Sequence, residues 1–172
     1  MRKIAPIAAA LLAVAGCTST QTAEPPTAAG GGTTAPAVQP RQPTEPRTEE
    51  AIRQVAQEEA DSYAAGDYGA AWDLWTKDAK KAISRSDYER LFELCPPLSQ
   101  GVRFTIEKIT MAPDKNSAKV RFSRIIGVFS YKFVYEDGHW RFVPDADAMR
   151  DYRIGDVRKI AARARAEGRC AA

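Results

Sequence analysis

Apolar residues recur at helical spacing in the segment after Thr48 and at every second position after Gly101, so the chain reads as helices followed by strands. Thr48-Glu49-Glu50 opens the first helix with a capping hydroxyl and acids in the first turn; Ile52, Val55, Ala56, Ala60 and Tyr63 form its apolar stripe, and Gly66-Asp67 ends it. Tyr68, Ala71, Trp72 and Trp75 fall at i, i+3, i+4 and i+7 and predict a second, short helix. Ser86 with Glu89 has the form of a capping box for a third helix, carrying Tyr88, Leu91, Phe92 and Cys95 and stopped by Pro96-Pro97.

Beyond Gly101 the period changes to two. Val102, Phe104 and Ile106 alternate with polar residues and predict a strand, and Ala112 to Ser117 reads as a turn. Ala118 to Ile126 predicts a second strand, with Gly127 bending or bulging the sheet before Val128 to Glu136. Asp137-Gly138 is a two-residue hairpin signal, which sets Glu136 opposite His139, Tyr135 opposite Trp140 and Phe133 opposite Phe142. Phe129, Tyr131, Phe133 and Tyr135 then share one face with Trp140 and Phe142. That face is too apolar to meet water, and the helices are its available cover.

The first 47 residues have a different character. Arg2 and Lys3 precede an apolar run from Ile4 to Val14 and the small residues Ala15-Gly16, the pattern of an export signal over residues 1–16. The run is too short to span a bilayer comfortably, which takes about 20 apolar residues. Val14-Ala15-Gly16-Cys17 resembles the lipobox of bacterial lipoproteins. That resemblance implies cleavage before Cys17, transfer of diacylglycerol (palmitate-type chains) to its thiol, and anchorage on the extracytoplasmic face of the cell membrane. Residues 17–47 would be the lipidated cysteine and a disordered Thr/Pro/Ala/Gly tether, because almost no large apolar residue is present to offset ordering entropy. Such a tether reaches about 30 Å as a coil and about 90 Å if extended. Residues 48–172 remain as one domain with a basic tail.

Charge and cysteines narrow the partners. The formal net charge of +3 includes Arg2 and Lys3; without them 23 basic residues face 22 acidic ones, and no overall footprint for nucleic acid is left. Once Cys17 is committed to lipid, Cys95 and Cys170 form an even remainder in a compartment that permits disulfides. Pairing is one reading; a buried thiol on a helix and a loose terminal one is the other. Arg158, Lys159, Arg163, Arg165 and Arg169 could touch anionic headgroups or form a solvated helix face or frayed end.

Ala65-Gly66-Asp67-Tyr68-Gly69-Ala70-Ala71-Trp72 and Asp137-Gly138-His139-Trp140-Arg141-Phe142, with helices first and a meander after, resemble the nuclear transport factor 2-like superfamily over residues 48 to 147. Within it the chain looks most like lipoprotein-attached domains of high-GC Gram-positive bacteria. The resemblance implies an α+β cone: three N-terminal helices packed on a curved, mostly antiparallel sheet of about four strands, enclosing a pocket. Enzymes of this kind related to ketosteroid isomerase set a carboxylate on the strand after the second helix. The corresponding residues here, Thr76 to Ile83, offer only Asp78, which reads as a solvated charge.

Catalytic residues are therefore not assigned from sequence. His139, the single histidine, reads as an exposed turn residue, and Asp147 as the cap of a short helix after Pro144, with Asp145 and Asp151 nearby. No metal-ligand spacing, phosphate loop or dinucleotide fingerprint occurs, so neither metal nor cofactor is expected. Tyr63, Trp72, Trp75, Phe92 and Tyr135 are candidates to line the pocket, each of them equally an ordinary core aromatic. The expectation is a non-enzymatic, membrane-anchored binder of a small apolar ligand or an envelope protein. A small pocket enzyme of isomerase, dehydratase or hydrolase type is the alternative, and a structural accessory of a cell-envelope complex the third.

Overall fold

The computed structural model describes residues 44–171; the expected signal, Cys17 and most of the expected tether lie outside the described residues. The described chain is α+β, with six helices and one four-stranded antiparallel sheet. Four helices precede the sheet: α1 (Glu49–Ala65), α2 (Tyr68–Asp73), α3 (Lys77–Ala82) and α4 (Arg85–Leu94). Strands β1 (Thr105–Met111), β2 (Ser117–Arg124), β3 (Gly127–Glu136) and β4 (His139–Val143) follow, then α5 (Ala146–Tyr152) and α6 (Val157–Ala166). No helix among the described residues is long and apolar enough to cross a membrane.

Helix α1 begins and ends as its sequence predicts. The Thr48 hydroxyl accepts the Ala51 N–H at 3.2 Å, and Gly66, at φ 84°, takes the left-handed conformation that closes the last turn. The apolar stripe from Ile52 to Ala60 is buried and Tyr63 partly so, and burial of Ile52 and Val55 stabilises the fold by roughly 1.5 to 3 kcal/mol each.

Four helical boundaries differ from the sequence reading. The second helix stops at Asp73, and Trp75, expected on it, lies instead in the segment that pairs with β4. One helix more than expected precedes the sheet, because the Thr76 hydroxyl caps Lys77–Ala82 by accepting the Ala79 N–H at 3.3 Å. The cap of α4 is Ser84, not Ser86: two overlapping Ser-x-x-acid boxes exist, and the upstream one binds the Asp87 N–H at 3.1 Å. Asp145, not Asp147, caps α5, accepting the Ala148 N–H at 2.8 Å.

The sheet runs in the order β1-β2-β3-β4. Asp137 (φ 52°) and Gly138 (φ 87°) make the expected two-residue turn, and the register sets Glu136 opposite His139, Tyr135 opposite Trp140 and Phe133 opposite Phe142. The expected strand through Ile126 stops at Arg124 instead. Arg124 pairs with Gly127, so Ile125-Ile126 is the tip of a second hairpin and no bend inside a strand occurs. An irregularity between Ile106 and Lys108 shifts the β1–β2 register.

Edges and ends are tied down by backbone. Leu74–Thr76 lies parallel to β4: Phe142 N–H donates to the Leu74 carbonyl at 2.9 Å and Thr76 N–H to the Phe142 carbonyl at 3.0 Å, which covers that edge. The expected tether is docked at its end. Glu45 N–H donates to the Gly138 carbonyl at 2.7 Å, and the Glu45 carboxylate accepts the Trp140 N–H at 2.8 Å. At the other terminus Cys95 and Cys170 are disulfide-bonded, with Cα atoms 4.9 Å apart, and Ala171 N–H donates to the Pro96 carbonyl at 2.7 Å.

Candidate functional site

The inner face of the sheet and the helices over it do not close on each other completely. A cavity of about 310 Å³ remains between them, at the small end of the range for ligand pockets. Helix α1 contributes Glu59, Ala60 and Tyr63; the segment after α2 contributes Trp75; α4 contributes Tyr88, Leu91 and Phe92. The sheet adds Phe122, Tyr131 and Phe142, the segment leading into β1 adds Phe104, and α5 and α6 add Ala148, Tyr152 and Ile160. Asp145 and Arg169 are lining residues exposed to solvent, and they mark where the cavity meets the surface.

Aromatic rings hold one another in place around this space. Trp75 meets Tyr88 at 4.4 Å between ring centroids and lies along Tyr152 at 5.6 Å; Phe92 stands edge-on to Tyr88 at 4.9 Å and to Tyr63 at 5.7 Å. Contacts of this geometry add about 0.5 to 1.5 kcal/mol each beyond burial, and so favour this arrangement of the wall.

One acid projects from this wall. Glu59 is 7 % exposed and sits among apolar and aromatic groups, where desolvation pushes its carboxyl up to about 8, partly offset by the indole N–H of Trp75. At neutral pH the group carries its proton. Burial likewise raises Tyr131 to about 12 and shifts Tyr63, Tyr88 and Tyr152 upward, so all four hydroxyls stay neutral. Away from the surface end, which Asp145, Asp151 and Arg169 line, the cavity thus offers uncharged O–H donors on an apolar background. That suits a neutral molecule bearing an acceptor oxygen.

The surface end is built from ion pairs. Asp151, 6 % exposed, accepts Arg163 and Arg169 at 3.1 Å each, joining α5, α6 and the terminal segment beside the Cys95–Cys170 bond. Two of the five tail cations are therefore engaged, and Lys159 pairs with Asp156 at 3.8 Å. Arg165 is a fourth, donating to the Leu94 carbonyl at 2.7 Å.

Of the five aromatic residues expected to line a pocket, Tyr63, Trp75 and Phe92 meet in it. Trp72 does not: its indole N–H donates to the Ile83 carbonyl at 3.0 Å, with the Lys80 ammonium 4.7 Å from the ring centroid. Tyr135 does not either, since its hydroxyl donates to the Glu45 carbonyl at 2.5 Å and Arg47 lies over its ring. His139 is not an exposed turn residue; its side chain is 19 % exposed and its Nδ1 lies 3.1 Å from Glu45. Asp78 is solvated and pairs with Lys81 at 3.0 Å. Among the described residues no cluster of His, Cys, Asp or Glu could hold a metal ion.

Glu59 was missed by the sequence reading although its signal is present. It follows Ile52 by seven positions and Val55 by four, inside the apolar stripe of α1. An acid in that register has to face the core.

No family model matches the chain, and no curated protein matches it. Among solved structures it is similar to a protein of unknown function from Mycobacterium tuberculosis, solved as a single-residue variant. The two share 15 % identity at a TM-score of 0.40, over 66 % of this chain and 88 % of that one.

Proposed function

We propose that this chain is a lipid-anchored extracytoplasmic binding protein with a nuclear transport factor 2-like cone, and that its cavity takes a small, largely apolar, uncharged molecule with an acceptor oxygen. The observation that carries the reading is Glu59, a buried carboxyl held neutral in an aromatic cavity. A purely structural accessory would favour a filled interior. The open cavity supports ligand binding over that role. The Cys95–Cys170 bond supports an oxidising compartment, in keeping with the export signal and lipobox at the amino terminus.

The test is mass spectrometry of organic extracts from the natively purified protein, beside an Ala148→Trp variant that fills the surface end of the cavity. One neutral apolar molecule in the parent and none in the variant is the expected result. Empty protein from both, or equal loading of both, contradicts the proposal.

One observation favours the enzyme reading as the alternative. A carboxyl held at about 8 is poised to give and take a proton near neutral pH, and four neutral tyrosine hydroxyls line the same space. In that case the bound molecule would leave changed, and an acceptor oxygen placed at Glu59 would be the site of proton transfer.

A further inference from the structure

The outer face of the sheet carries cations that nothing in the fold uses. The register places Lys108 opposite Arg121 and Lys119 opposite Lys132, so like charges stand side by side across β1, β2 and β3. Such pairs destabilise a sheet. All four side chains are exposed, and none is in an ion pair among the described residues. The acid close to them, Glu107, accepts a hydrogen bond from the Ser123 hydroxyl.

The tip of the same β2–β3 hairpin is apolar and open. Ile125 is 88 % exposed, Ile126 61 % and Val128 55 %, in a turn where polar residues or glycine are the rule. Arg124 donates to the Ser99 carbonyl at 2.5 Å and the Val102 carbonyl at 2.8 Å, which draws the neighbouring loop, with Leu98 68 % exposed, up to the tip. The fold leaves most of each of these side chains uncovered. Val128 pairs with Ser123 and so shares the outer face with the cations.

From this juxtaposition we infer that the β2–β3 hairpin docks the domain on an anionic lipid bilayer. Ile125 and Ile126 enter the boundary between headgroups and acyl chains, and Lys108, Lys119, Arg121 and Lys132 lie over the headgroups. Arg121 sits four residues from Ile125, about 14 Å along the strand, so the hairpin must lie with its outer face along the membrane, its tip lowest. Each cation near such a surface adds attraction that fades within about one Debye length. A second copy of the chain fits this face poorly, since two-fold docking would set lysines against lysines. The inference stands apart from the cavity and from acylation of Cys17.

The test uses the full chain carrying Cys17→Ser, so that no acyl group contributes, sedimented with phosphatidylcholine vesicles with and without phosphatidylglycerol. Two further chains add Ile125→Ser with Ile126→Ser, or Lys119→Glu with Arg121→Glu, and circular dichroism confirms that each is folded. The parent should bind the anionic vesicles, and each pair of substitutions should weaken binding by at least about tenfold. Added salt should weaken the parent further. No binding by the parent, or equal binding by all three chains, overturns the inference. So does a concentration-dependent dimer, seen by equilibrium sedimentation, that the isoleucine substitutions abolish.

Discussion

The carboxyl of Glu59 lies near the indole N–H of Trp75, a buried donor that makes no hydrogen bond. The pair brings α1 together with the segment that pairs with β4, and both polar groups stand among aromatic rings. Its energetics are dominated by burial, which outweighs the indole in holding Glu59 up at about 8.

A pH dependence of stability follows from that shift. The unfolded chain releases the Glu59 proton near 4.5 and the folded chain near 8. Between those values the folded state holds a proton that the unfolded state has lost, so the contribution is complete below about 4.5 and declines by about 1.4 kcal/mol per pH unit as pH rises toward 8. Urea midpoints followed by circular dichroism should fall across that window for the parent. In Glu59→Gln the fall should be largely gone. Parallel curves would show that Glu59 is ionised in the folded protein.

The Cys95–Cys170 bond spans 75 residues and secures the terminal segment beside the surface end of the cavity. Replacing both cysteines with serine should cost roughly 2 to 5 kcal/mol, read from thermal or urea unfolding. Asp151→Asn, which weakens the charge pairing to Arg163 and Arg169 in the same region, should cost less. Unfolding unchanged in the double serine variant would mean that the terminal segment adds nothing to the fold.

Glu45 sits 95 residues from Trp140 in the chain, yet its carboxylate accepts that residue's N–H. Its removal in Glu45→Ala leaves the N–H of the buried Trp140 without that partner and should cost about 1 to 3 kcal/mol. Limited proteolysis gives a second reading. The parent should be cut before Thr44 and spared after it, and the variant should also be cut between 44 and 48. Identical cleavage maps would show that the segment is held by other contacts.

How much of this was legible in the sequence depended on whether the deciding chemistry was local. The Thr48 cap, the Gly66 stop and the Asp137-Gly138 register each rest on a few adjacent residues, and each is read correctly. Ser84 and Ser86 both precede an acid by three, so local sequence could not choose between them. Ile125-Ile126 reads as strand because its apolar character is spent on the outside of the molecule. Tyr63, Trp75 and Phe92 share their period with Trp72, and only tertiary packing separates the residues that reach the cavity from the one that caps Ile83. Glu59 could have been found from its register alone.

The proposed anchor has its own test. Mass spectrometry of the membrane fraction should find diacylglycerol on Cys17, and Cys17→Ser should lose that anchored form. Recovery of the serine chain in the same detergent-dependent state would contradict it.

The most direct measurement of the central claim is a titration of Glu59 itself, by the carboxyl carbon signal of glutamate-labelled protein, assigned by its loss in Glu59→Gln. The account predicts a midpoint at about 8 in the empty protein, rising further when a neutral acceptor-bearing ligand fills the cavity. A midpoint near the ordinary 4.5, unmoved by cavity occupancy, would contradict it.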